Sequence, residues 1–120
     1  VLRLTALERE IIRHRLVLPE CIAEALDDDA ENIGLLCDQL NVLIDGDLED
    51  ISSENCHDPF MAREVLAECL EGSTYCGTSI SAEGGGEISP QKLRAVIRTA
   101  EALASKLSPF IGREIIPATC

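Results

Sequence analysis

Ser89-Pro90-Gln91-Lys92-Leu93-Arg94-Ala95-Val96-Ile97-Arg98-Thr99-Ala100-Glu101-Ala102-Leu103-Ala104-Ser105-Lys106-Leu107 is the stretch that decides the fold class. Serine at the cap followed by proline at the first helical position opens a helix, because the N–H that proline lacks is one that a helix start leaves unpaired anyway. Leu93, Val96, Ile97, Ala100, Leu103, Ala104 and Leu107 then recur at steps of one, three and four residues on one face. That spacing belongs to an amphipathic helix with a face to bury. Pro109 and Gly112 are expected to break it, and Phe110, Ile111, Ile115 and Ile116 then form an apolar tail. Such a tail is expected to pack across the protein, since large apolar side chains left in water are a liability.

Upstream, Ile33, Leu36, Cys37, Leu40, Leu43 and Ile44 repeat the helical spacing, and Asp45-Gly46-Asp47 stops the segment. Asp58-Pro59 supplies a cap and a first-turn proline for a further helix that buries Met61, Val65, Leu66, Cys69 and Leu70 and ends near Gly72. Near the start, Thr5-Ala6-Leu7-Glu8 spells a capping box, with Leu4, Leu7, Ile11, Ile12, Leu16 and Leu18 as its apolar stripe. Pro19 disfavours helix at Leu18, so a break there and a second helix from Pro19 to about Leu26 are expected. Asp27, Asp28 and Asp29 end that segment and are placed to cap the next.

Leu48 to Cys56 reads as an acidic loop or short turn, and Ser73 to Ile88, with Gly84-Gly85-Gly86, as a flexible loop that admits a short hairpin. The expected architecture is all-α: one domain, residues 1–120, a small bundle of four to five helices with a Gly-rich loop before the final long helix. A chain of 120 residues with 46% apolar composition fits one such core.

The net charge of −12 is concentrated. Residues 20–62 hold 13 Asp/Glu and no Lys or Arg, whereas residues 1–19 carry four Arg against two Glu. Carboxylates of the middle segment therefore face water, the Arg and Lys of the two ends, or a basic partner. A solvated acidic face partly offset by Arg3, Arg9, Arg13, Arg15 and the basic final helix is the plain alternative to a binding surface. The balance excludes attraction of the whole surface to nucleic acid or anionic lipid, and no apolar run approaches the length of a membrane span.

No basic-then-apolar leader opens the sequence, and none of the six cysteines forms a Cys-x-x-Cys pair. A reducing cytoplasm is expected, with several of Cys21, Cys37, Cys56, Cys69, Cys76 and Cys120 on apolar stripes as small hydrophobes and Cys120 the exposed, oxidisable thiol. No metal or cofactor is expected. A calcium loop from Asp45 has Asp50 where a glycine turn is needed and Cys56 where a bidentate glutamate is needed. A second register from Asp27 fails at Asn32 and Asp38. Cys56-His57 are sequence neighbours whose side chains diverge, His14 sits within a helix, and Gly84-Gly85-Gly86-Glu87 lacks the Lys-Ser/Thr of a phosphate loop. The chain is expected to bind rather than catalyse.

Arg13-His14-Arg15-Leu16-Val17-Leu18-Pro19-Glu20 before Ile22-Ala23-Glu24-Ala25-Leu26 is similar to the start of a ribbon-helix-helix protein. That resemblance implies a DNA-binding regulator whose strand presents Arg13 and Arg15 to the major groove. It conflicts with the helix capped at Thr5 and with the carboxylates that follow.

The pattern Leu4-Thr5, Leu7-Glu8-Arg9, His14-Arg15-Leu16 and Pro19, with Ser89-Pro90-Gln91-Lys92-Leu93 and Gly112-Arg113-Glu114, resembles small uncharacterised proteins encoded by bacterial phages and prophages. It covers both ends of the chain and little of the middle, and carries no activity onto any residue. It implies a mobile-element protein, and acidic inhibitors of host defence nucleases, of anti-CRISPR or DNA-mimic type, are among these.

The favoured expectation is a basic protein surface, such as that of a nucleic-acid-binding protein, occupied by Asp27, Asp28, Asp29, Glu31, Asp38, Asp45, Asp47, Glu49, Asp50 and Glu54. Direct contact with nucleic acid or membrane is not expected, and the sequence admits a homodimer. A structural or assembly component of a phage particle, acting through the tail at Phe110, Ile111, Ile115 and Ile116, is the third expectation.

Overall fold

Thr5 closes the capping box. Its Oγ1 accepts the Glu8 backbone N–H at 3.2 Å, and Glu8 Oε1 accepts the Thr5 N–H at 2.8 Å. Two otherwise unpaired donors are satisfied at once, and α1 (Ala6–Leu16) starts there. In this computed structural model residues 2–71 and 89–117 are described. Leu18 leaves the helical region at φ −123°, ψ 61°, as the residue before a proline tends to, and α2 (Pro19–Leu26) follows.

Asp27 ends α2 in the left-handed conformation at φ 55°, while Asp29 caps α3 (Ala30–Leu43) by accepting the Glu31 N–H at 3.2 Å. The acidic loop contains one short 3-10 turn, Leu48–Asp50. Asp58 Oδ1 accepts the Met61 N–H at 3.1 Å at the start of α4 (Pro59–Glu71), and Ser89 Oγ accepts the Lys92 N–H at 3.1 Å at the start of α5 (Pro90–Ile111). The protein is an all-helical bundle of five α-helices among the described residues, as the periodicities predict.

α4 is the hub. It packs against α1, α2, α3 and α5, and Ala62, Val65, Leu66, Ala67, Cys69 and Leu70 are all buried. Those positions surround most of the helix, as burial on several sides requires. α1 packs against both α4 and α5 and buries Ile11, Ile12 and Leu16. α3 contributes Ile33, Leu36, Cys37 and Leu40 against α1, α2 and α4. Met61, expected in the core, is only half-buried.

Two expectations are corrected. Pro109 does not stop α5, which runs through it to Ile111. Proline this close to a helix end removes a single backbone bond. Ser108 Oγ donates to the Ala104 carbonyl at 2.6 Å, and Phe110 gains a place under the Arg63 guanidinium, 5.1 Å from the ring centre. Gly112, at φ 95°, caps the helix instead. Residues Arg13 to Leu16 are helical and not a strand, so Arg13 and Arg15 lack the alternation that a ribbon-helix-helix start needs.

The tail does pack back, but not with all four apolar residues. The Ile115 N–H bonds Ser108 Oγ at 3.0 Å and its side chain is buried, Phe110 and Ile111 are half-buried, and Ile116 is exposed. Arg113 ties the tail to α4 through both Glu71 oxygens, at 2.8 and 2.9 Å, and through Glu64 at 3.2 Å. The expected hairpin or loop at Ser73–Ile88 and the thiol of Cys120 lie outside the described residues.

Candidate acidic interface

The expected carboxylates fall into three groups. Asp28, Asp29 and Asp47 serve the backbone. Asp28 accepts the Asp29 N–H at 2.7 Å and the Asn32 amide at 3.3 Å, and Asp29 caps α3. Asp47 Oδ1 accepts the Leu2 N–H at 2.7 Å and the Glu49 N–H at 3.0 Å. Those N–H groups, Leu2 first, hold the Asp47 carboxylate below its ordinary range.

Asp45 is the second group. Arg13 reaches its Oδ2 at 2.7 Å and Arg9 Nε its Oδ1 at 3.7 Å. Arg13 also donates to the Asn41 carbonyl at 3.2 Å, so α1 neutralises the far end of α3.

The third group faces water. Asp27, Glu31, Asp38, Asp50 and Glu54 are exposed, with no side-chain hydrogen bond or ion pair among the described residues. Glu49 is exposed beside them on the 3-10 turn. Glu31 and Asp38 share the outer side of α3, opposite Ile33, Leu36 and Leu40. These carboxylates lie at the α2–α3 corner, on the outer side of α3, and on and after the 3-10 turn, all within residues 20–62, which contain no Lys or Arg.

Sequence reasoning missed two features here. His57 lies against α3, with Nδ1 3.2 Å from Gln39 Oε1 and Nε2 against Asn32 Oδ1, while its backbone N–H reaches Gln39 Oε1 at 3.4 Å. These contacts pin the loop after the 3-10 turn to the acidic helix. Partners 18 and 25 positions away leave no local signal. Leu35 and Val42 stand in solvent, 49% and 74% exposed, between the carboxylates of α3. Their spacing from Glu31 and Asp38 is visible in the sequence, but attention to the buried stripe hides it.

The remaining reactive groups are quiet. Cys37, Cys56 and Cys69 are buried thiols, and burial raises all three, Cys37 to about 11. A protonated, buried thiol is a poor nucleophile and a poor ligand. Among the described residues no group of three His, Cys, Asp or Glu side chains is placed to hold a metal ion. No described helix is long and apolar enough to cross a membrane. Comparison with protein families, with curated proteins and with solved structures finds no match for the chain.

Proposed function

We propose that the chain acts by binding rather than catalysis, as an acidic protein that occupies a basic surface of a nucleic-acid-binding partner. A phage- or prophage-encoded inhibitor of host defence, of anti-CRISPR or DNA-mimic type, is the biological setting this proposal favours. One observation carries it: the carboxylates of Asp27, Glu31, Asp38, Asp50 and Glu54 stand in solvent with neither a side-chain hydrogen bond nor an ion pair among the described residues. Carboxylates held on a helix and its flanking turns present a fixed negative field, and a complementary cationic groove meets it with a raised association rate. Cys37 and Cys56, buried as thiols in an apolar core, fit a reducing compartment, the cytoplasm.

The other two expectations gain no such support. Arg13 is engaged by Asp45 and Asn41 within a helix, which leaves it poorly placed for a DNA groove. Ile115 is buried and Phe110 lies under Arg63, so the tail offers Ile116 more than a patch to an assembling particle.

Retention of partners from a bacterial extract on the immobilised chain tests the proposal. A nucleic-acid-binding protein should be held at low salt, released at high salt and displaced by duplex DNA. The combined change Asp27→Asn, Asp28→Asn and Asp29→Asn should weaken retention with helicity intact, because asparagine still caps α3 and still tolerates the left-handed position at residue 27. Retention that is flat with salt and indifferent to this change overturns it.

A further inference from the structure

We propose that the outer side of α3 is a docking strip for a cationic amphipathic helix of a partner protein; this rests on the acidic-interface proposal and gives its partner a shape. Glu31, Leu35, Asp38 and Val42 of α3 follow one another at steps of four, three and four residues, and Asp45 lies three residues on, in the turn just past the helix end. Alternating steps of four and three draw a nearly straight line along a helix, the spacing by which two helices meet. All five residues are exposed. Acidic and apolar side chains alternate along the line, on the side that the packing of Ile33, Leu36 and Leu40 against α1, α2 and α4 leaves uncovered. Leu35 and Val42 are separated by seven residues, roughly 10.5 Å at 1.5 Å per residue.

The chemistry of the strip selects the occupant. Glu31 and Asp38 have no cation among the described residues, and residues 20–62 contain no Lys or Arg. Asp45, at the end of the line, already accepts the Arg13 guanidinium at 2.7 Å, which is the kind of contact the other two carboxylates lack. A second copy of the same strip would set carboxylate against carboxylate. A flat cationic surface would satisfy Glu31 and Asp38 but leave Leu35 and Val42 in water. A helix with Lys or Arg every seventh residue, and an apolar residue three or four positions from each, meets both sets of side chains at once.

Two synthetic peptides of identical composition test this with the full chain, one carrying Leu and Lys in that alternating heptad register and one scrambled. Fluorescence anisotropy at low and high salt should give the registered peptide at least about tenfold tighter binding. Circular dichroism should show it gaining helicity in the complex. The combined change Leu35→Gln and Val42→Gln, at positions outside the core, should abolish that preference, and Asp38→Lys should weaken binding of the registered peptide further. Equal binding of both peptides, unaffected by Leu35→Gln and Val42→Gln, overturns the docking strip while leaving the acidic interface standing. No binding of either peptide at low salt overturns both. A sedimentation experiment in which the chain is dimeric, and Leu35→Gln with Val42→Gln makes it monomeric, assigns the strip to a second copy and overturns the proposal.

Discussion

Lys106 Nζ lies 2.9 Å from Glu8 Oε1, the same carboxylate oxygen that accepts the Thr5 N–H at 2.8 Å. One buried side chain thus closes the first turn of α1 and ties it to α5, 98 positions along the sequence. Burial opposes the charge on Glu8, but the Thr5 N–H and the Lys106 ammonium outweigh it and hold the carboxyl below its ordinary 4.5. A group whose folded pKa is depressed stabilises the fold above its unfolded value, and that contribution is lost as pH falls through the folded one. Glu8→Gln keeps an acceptor for the cap and loses the ion pair. It should cost about 0.5–1 kcal/mol at neutral pH, the half-open Lys106 limiting the loss. Glu8→Ala removes both and should cost about 1–2 kcal/mol. Thermal unfolding at pH 7 and below pH 4 checks this: the deficit of Glu8→Gln should shrink in acid.

Glu68 behaves in the opposite sense. Burial first, and Glu71 with it, raise its carboxyl against the pull of Arg15 and Arg113. A raised carboxyl withdraws stability as pH climbs through its ordinary value. Glu68→Gln should therefore unfold at a higher temperature than the native chain at pH 7, and at the same temperature at pH 4. A variant less stable at pH 7 would show that the attraction to Arg15 and Arg113 dominates.

Ser108 holds the turn after α5 together, donating to the Ala104 carbonyl and accepting the Ile115 N–H. Ser108→Ala leaves the Ile115 N–H without that acceptor and should cost about 1–2 kcal/mol. Limited proteolysis should then cut beyond Gly112 sooner in the variant, with α1 to α4 unchanged by circular dichroism.

Asp27 occupies the left-handed region at φ 55°, where a Cβ carries a steric cost. Asp27→Gly should stabilise the fold by about 0.5–1 kcal/mol, and Asp27→Ala should give no such gain. Urea denaturation of the two variants separates relief of backbone strain from simple removal of charge.

Cys21 is exposed while Cys37, Cys56 and Cys69 are buried with raised thiols. Timed alkylation under native conditions, read peptide by peptide in a mass spectrometer, should modify Cys21 well before those three. Early labelling of Cys37 or Cys69 would show that the core around α4 opens far more often than its burial implies.

Helix starts were legible because they are local. Thr5, Asp29, Asp58 and Ser89 act within three residues of themselves, and the apolar periods of α3 and α5 extend over several turns. The end of α5 was not, because whether Pro109 stops a helix depends on distant Arg63 and on the turn that Ser108 secures. The acidic region was legible as charge but not as geometry. Pairing of Asp45 with Arg9 and Arg13 needs α1 laid beside α3, and His57 meets Asn32 and Gln39 only once the chain has folded back.

The packing of α1 against both α4 and α5 also bears on the order in which the protein can form. A ribosome makes α1 well before α5, yet α5 packs against the helix that carries the buried Ile11 and Ile12. Until α5 emerges, α1 is a half-clothed helix, open to chaperones. This core is therefore completed only after α1 to α4 have all been made.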